Sequence, residues 1–285
     1  MFELKNVTKK FNSDLFTKEF VAVNNLSFEL KMGSVTGFLG ANGAGKTTSL
    51  KMIMDFIRPD SGEILFNEAM GIEKSKILSN LGFLPERPYF YPHLTGREFC
   101  IYMGKLSGLS KSDIDSQIQK WGPIFKIEFA LDREVRNYSK GMLQRIGFLV
   151  TLLHDPKLII LDEPLSGLDP IGRKELKEVI TKVNHEGKTV FFSSHIISDV
   201  EEVCQNVIFI KDGALFYEGT VEKIIGENSS GMTTITFSEN DELSKLTIDS
   251  DKVNDQLMKL VQEKKEIIKV SRDRPSLEEI IYNVK

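Results

Sequence analysis

The sequence predicts an α/β protein built round a parallel sheet whose strands are buried on both faces. Three observations lead there. Residues 35–39, 157–161 and 189–193 are short, largely apolar runs of the kind that fill such a sheet. The first of them leads straight into a glycine-rich loop and then a segment of helical period. A further helical segment, 172–186, separates the other two.

Along the chain, residues 1–7 and 26–30 alternate apolar and polar side chains, so a small β layer precedes the first buried strand. The helix expected over 46–56 stops at the turn-forming cluster 58–62. From about residue 87 to 153 the apolar spacing is helical, which predicts a helical insertion that includes Trp121. Residues 226–231 have the composition of a linker to a smaller C-terminal unit. That unit reads as a strand at 233–237, a helix near 255–264, and a final helix after Pro275 that starts on the proline or is capped by Ser276. The expected domains are therefore 1–225 and 226–285.

Composition narrows the function classes. The 285 residues are 41% hydrophobic and 27% charged, as in an ordinary globular protein, which excludes disorder and collagen. A net charge of −4 argues against nucleic acid as the main partner. Cys100 and Cys204 stand far apart without metal-ligand spacing, so neither a disulfide framework nor a zinc site is expected, and a reducing compartment fits. No signal core is seen, and the longest apolar stretch, 146–153, falls short of the ~18 to 20 residues a membrane helix needs. A role at a membrane would require docking on a separate spanning subunit.

Gly40-Ala41-Asn42-Gly43-Ala44-Gly45-Lys46-Thr47 matches GxxxxGK[ST], with a strand before it and a helix after it. Its glycines let the backbone curl into a nest of N–H groups that faces phosphate oxygens, and the helix dipole adds to the attraction. Lys46 is expected to bridge the terminal phosphates, and the Thr47 hydroxyl to occupy one position on Mg²⁺. Asp162 and Glu163 follow a buried strand, which places them at the carboxyl edge where open α/β sheets bind ligands. Asp162 would orient the metal, and Glu163 would position or deprotonate the water that attacks the γ-phosphate. A strand-end turn with two solvated acids is the plainer reading of that pair. His195, after another buried strand, is a third candidate, although a lone histidine at a strand end is more often structural.

In combination these residues resemble the nucleotide-binding subunit of an ABC transporter over about residues 1–220. Tyr138-Ser139-Lys140-Gly141-Met142-Leu143-Gln144-Arg145 is similar to the family signature, LSGGQ in its common form, and precedes Asp162 by about twenty residues. Leu165-Ser166-Gly167-Leu168-Asp169 resembles the D-loop, and His195 falls at the switch histidine. The resemblance implies an α/β fold with a P-loop NTPase core, a small antiparallel β layer, a helical subdomain insertion and a small C-terminal α+β extension. It implies ATP and Mg²⁺ as cofactors, with Gly40 to Thr48 on the phosphates and Ser139, Gly141 and Asp169 contacting nucleotide across a dimer. Glu163, His195 and Lys46 would be catalytic, and Thr47, Asp162 and Glu86 would face the metal. Phe11 occupies the place of the adenine-stacking aromatic, with Phe16 and Phe20 as alternatives in the insertion that follows.

Two departures stand out. Glu86 in Leu81-Gly82-Phe83-Leu84-Pro85-Glu86-Arg87 replaces the usual glutamine of the Q-loop, and the signature reads Tyr-Ser-Lys-Gly-Met. Both variants resemble the branch that serves type-two exporters. The expected partners are an integral membrane permease and a second ATP-binding subunit, identical or a close paralogue, with the protein peripheral at the cytoplasmic face. A non-transport ABC ATPase acting on nucleic acid or ribosomes is the alternative. Against it, the chain carries one cassette with no repeat, and its tail from Gly226 has 9 Lys plus Arg against 12 Asp plus Glu.

Overall fold

A computed structural model describes residues 1–12, 19–239, 242–272 and 274–283. The chain divides into two units, Met1–Gly219 and Thr220–Lys285.

The first unit contains β1 (Phe2–Asn12), β2 (Glu19–Leu30), β3 (Val35–Leu39), α1 (Lys46–Ile53), β4 (Ser61–Phe66), α2 (Lys74–Ser79) and β5 (Leu81–Leu84). The helices α3 (Gly96–Leu106), α4 (Lys111–Phe125) and α5 (Lys140–Leu152) follow. After them come β6 (Leu158–Leu161), α6 (Pro170–His185), β7 (Thr189–Ser194), α7 (Ile197–Val203), β8 (Asn206–Lys211) and β9 (Ala214–Thr220).

Two sheets form the unit. One is antiparallel in the order β2-β1-β4; the other runs β5-β6-β7-β3-β8-β9, with β5, β6, β7, β3 and β8 parallel. The three expected buried strands are β3, β6 and β7, and all their residues are buried, as both-face coverage requires. Phe2 and Phe28 of the antiparallel layer meet Phe38 and Phe191 of the parallel sheet at centroid separations from 5.6 to 6.1 Å. Burial of each such ring contributes about 1.5–3 kcal/mol, which fastens one layer to the other.

Several elements differ from the sequence reading. The antiparallel strands are longer, running to Asn12 and from Glu19, because they pair with each other well beyond the alternating stretches. Helix α1 ends at Ile53 rather than Phe56, since Asp55 turns into the left-handed region at φ 58. Helix α6 starts two residues early, with Pro170 at its first position and the Asp169 carboxylate accepting from Gly172 N at 2.8 Å. The insertion is helical as expected; capping boxes Thr95/Glu98 and Ser110/Asp113 start α3 and α4, and Trp121 is fully buried with Nε1 donating to Gln117 Oε1.

The second unit holds α8 (Val221–Glu227), β10 (Met232–Glu239), β11 (Glu242–Asp249), α9 (Val253–Gln262), β12 (Glu266–Arg272) and α10 (Leu277–Asn283). Its antiparallel sheet runs β11-β10-β12, and Ile235, Phe237 and Leu260 form its small core. Ser276 caps α10, accepting from Glu279 N at 3.1 Å. The division falls at Gly219/Thr220, ahead of the linker expected at 226, because α8 buries Val221, Ile224 and Ile225 and contacts α10.

Candidate nucleotide-binding site

Parallel register assembles the site. Leu39 pairs with Ser194, and Leu161 with Phe192, so the residues that follow β3, β6 and β7 emerge together at the carboxyl edge. There the loop after β3 turns through Gly43 at φ 83 and Gly45 at φ 98. A Cβ on Gly45 would lie 2.3 Å from the Ala22 carbonyl oxygen, whereas nothing lies within 4 Å of one on Gly43. The loop is therefore pinned on one side and open on the other. Its helix α1 starts without a side-chain cap, leaving first-turn N–H groups for an anion.

Lys46 is 5% exposed, with Nζ donating to Gly40 O at 2.7 Å and Ala41 O at 3.3 Å. It also lies 3.2 Å from Glu163 Oε1. The other Glu163 oxygen, Oε2, is 2.9 Å from His195 Nδ1. Glu163 itself sits at φ 48, and its N–H donates to Ser193 Oγ at 2.8 Å. Asp162 is 2% exposed, and its Oδ1 accepts from Ser193 Oγ at 2.7 Å and Thr47 Oγ1 at 3.2 Å. Burial raises the Asp162 carboxyl above the usual carboxylate range; the two hydroxyl donors pull it down, and the charges of Glu163 and Glu86 push it up.

A cavity of about 390 Å³ is lined by Lys46, Thr47 and Glu163, together with Asn42, Thr48, Glu86 and His195. It suits a nucleoside triphosphate: a glycine cradle with one open side, a buried ammonium and an aromatic wall. It also suits Mg²⁺, which takes a few protein oxygens and fills its shell from water and phosphate. The Thr47 hydroxyl and the Asp162 carboxylate are such a pair, and a cation beside Asp162 would offset the cost of its buried charge.

Of the three candidate aromatics, the structure brings one to the cavity. The cavity wall is made by Phe20, and Phe11, its cross-strand partner, lies outside the lining. Phe16 lies outside the described residues. Ser139, Gly141 and Asp169 are also apart from the phosphate loop: with Lys140 and Phe129 they line a second cavity of about 470 Å³. There Ser139 caps α5, accepting from Met142 N at 3.3 Å, and no atom lies within 4 Å of a Cβ built on Gly141. Sequence reasoning missed Ser193, whose hydroxyl joins Asp162 to the Glu163 backbone; its one legible signal is a polar residue closing an apolar strand two positions before His195.

The family model described as ABC transporter matches residues 23–166. The chain belongs to that family. Among curated ABC transporter relatives, the uncharacterized ATP-binding protein YhaQ of Bacillus subtilis is 31% identical over 98% of this chain and 97% of its own. The bacitracin transport ATP-binding protein BcrA of Bacillus licheniformis is 40% identical over 69% of this chain and 64% of its own. The solved ABC subunit cbiO1 of Clostridium perfringens, part of the complex cbiONQ, superposes with a TM-score of 0.68 at 25% identity, over 79% of this chain and 90% of that one. The protein is thus an ABC transporter ATP-binding subunit, an ATPase that uses ATP with Mg²⁺. No helix among the described residues is long and apolar enough to cross a membrane.

Proposed function

We propose that this subunit powers an exporter, and that two ATP-binding subunits, identical or paralogous, bind nucleotide between the phosphate-loop cavity of one and the Ser139 cavity of the other. The observation that carries this reading is the separation of the two residue sets into two open cavities on one chain. Each is half of a site. Nucleotide held by both halves would favour the closed pair, and loss of the γ-phosphate would release it.

Within the site, Lys46 and the loop amides bind and orient the phosphates. Bound Mg²⁺ supplies charge neutralisation at the phosphate oxygens. Phosphate oxygens compete with Glu163 Oε1 for Lys46, which frees that carboxylate to orient a water and take its proton. His195, on the opposite carboxylate oxygen, holds Glu163 in place. Ser193 fixes the backbone that carries Glu163.

The exporter direction rests on the Glu86 and Tyr138–Met142 variants, and the permease on the transporter relatives, whose names give no support to a nucleic-acid role. Tagging the chain and identifying what accompanies it from gently solubilised native membranes tests both: a multi-helix permease is expected, and recovery with ribosomes or DNA-associated proteins would overturn transport.

Tyr89 and Tyr91 mark the surface we assign to the permease. Both are exposed, their rings meet edge to face at 5.5 Å, and Tyr91 continues to Tyr102 at 5.1 Å. Phe90, between them in sequence, instead turns onto Phe99 at 5.3 Å. Exposed aromatics are enriched at interface centres, where truncation of an anchor costs about 2 kcal/mol or more. Replacing both tyrosines by alanine is expected to abolish transport while ATP still binds the purified chain; unchanged transport would exclude this surface.

A further inference from the structure

Asp199 is a buried carboxylate outside both cavities. It is 3% exposed, in the first turn of α7, four residues beyond His195. Two cations of α6 hold it: Arg173 Nη2 donates to Oδ2, and Lys177 Nζ lies 3.4 Å from Oδ1. Lys177 also pairs with Glu202. Burying a carboxylate between cations adds little net stability compared with apolar packing of the same volume, so the pair is better understood as specifying position.

Each end of this bridge leads to the nucleotide chemistry. Arg173 stands in the first turn of α6, where its backbone N–H donates to the carbonyl of Asp169, and Asp169 lines the second cavity. On the other side, α7 begins two residues after His195 with no side-chain cap at Ile196. Its Val200 seats on β3, where a Cβ on Gly37 would lie 2.4 Å from Val200 Cγ1. The His195 ring is exposed, so packing does not hold it; the placement of the backbone decides where Nδ1 meets Glu163.

We propose that Arg173 and Asp199, with Lys177 as the second cation, form a clamp between α6 and α7 that positions His195 against Glu163. The inference rests on Glu163 and His195 being the hydrolytic pair.

ATP hydrolysis by the full chain, together with any membrane subunit that purifies with it, supplies the test. Asp199→Asn and Arg173→Met are each expected to lower kcat about tenfold or more, as small misplacements of reacting groups do, with little change in KM. Arg173→Lys should recover most of the loss. In a His195→Ala background the same two changes should cost under about twofold, because their route to the chemistry is already gone. Losses that multiply instead would overturn the clamp and leave a structural role. Normal turnover in Asp199→Asn and Arg173→Met beside a crippled His195→Ala overturns the clamp alone. Normal turnover in His195→Ala overturns the hydrolytic pair, and the clamp with it. Should Asp199→Asn fail to fold, Arg173→Met against Arg173→Lys carries the same cycle, since the Arg173 side chain is 28% exposed.

Discussion

Glu163→Gln is expected to stop turnover while ATP still binds. The carboxylate has one oxygen 3.2 Å from Lys46 and the other 2.9 Å from His195, at the mouth of the phosphate cradle. Glutamine keeps the shape and removes the base, and loss of a positioned base costs about 10²- to 10⁴-fold in rate. The backbone of the cradle is untouched: Gly43, Gly45 and the first-turn amides of α1 owe nothing to that side chain, and Lys46 keeps its bonds to the Gly40 and Ala41 carbonyls. The backbone at φ 48 also persists, because Ser193 Oγ, not the carboxylate, holds the Glu163 N–H. A nucleotide that binds and is not cleaved should keep the two half-sites together, so the variant should elute as a dimer in ATP and as a monomer without it. Phosphate release at the unaltered rate would remove Glu163 from its role.

Asp162→Asn should move stability and activity in opposite directions. Burial raises the native carboxyl above its unfolded value, so the native chain binds this proton more readily than the unfolded chain. Stability from this group is therefore lost as pH rises through the interval between the two values, and above it the ionised carboxylate is a standing cost. Asparagine removes the charge and keeps an oxygen for the Thr47 and Ser193 hydroxyls. Without Mg²⁺ near pH 8, the variant should melt at a higher temperature than the parent, and the gap should close as pH falls below the carboxylate range. Hydrolysis should fall about 10²-fold or more, because one of the protein oxygens facing the metal has lost its charge. Mg²⁺ with ATP should stabilise the parent markedly more than the variant. A variant melting below the parent at pH 8, or hydrolysing normally, would contradict the assignment.

Most of the site was legible because its chemistry is contiguous. The phosphate loop is eight consecutive residues whose glycines and lysine carry their meaning in spacing alone. Asp162 and Glu163 are adjacent and follow an apolar strand, so their emergence at the sheet edge needs no tertiary information. The fold class was legible for a similar reason: unbroken apolar runs of strand length are stable only when covered on both faces. The short or half-exposed strands β4, β5, β8, β9, β11 and β12 gave no comparable signal, since partners distant in sequence make them strands.

What the sequence determined by itself was the α/β class, the helical insertion, the phosphate cradle and the two carboxylates, all properties of local spacing and polarity. Tertiary structure alone decided that Ser193 bridges Asp162 to the Glu163 backbone, that Phe20 rather than Phe11 walls the cavity, and that Phe90 turns inward while Tyr89 and Tyr91 do not. It alone decided that Ser139 lines a cavity apart from the phosphate loop and that α8 belongs with the C-terminal unit. The physical reason is common to all of these. Each depends on register between strands or on packing between segments tens of residues apart, and a shift of one residue in register turns a side chain to the other face without altering any local pattern.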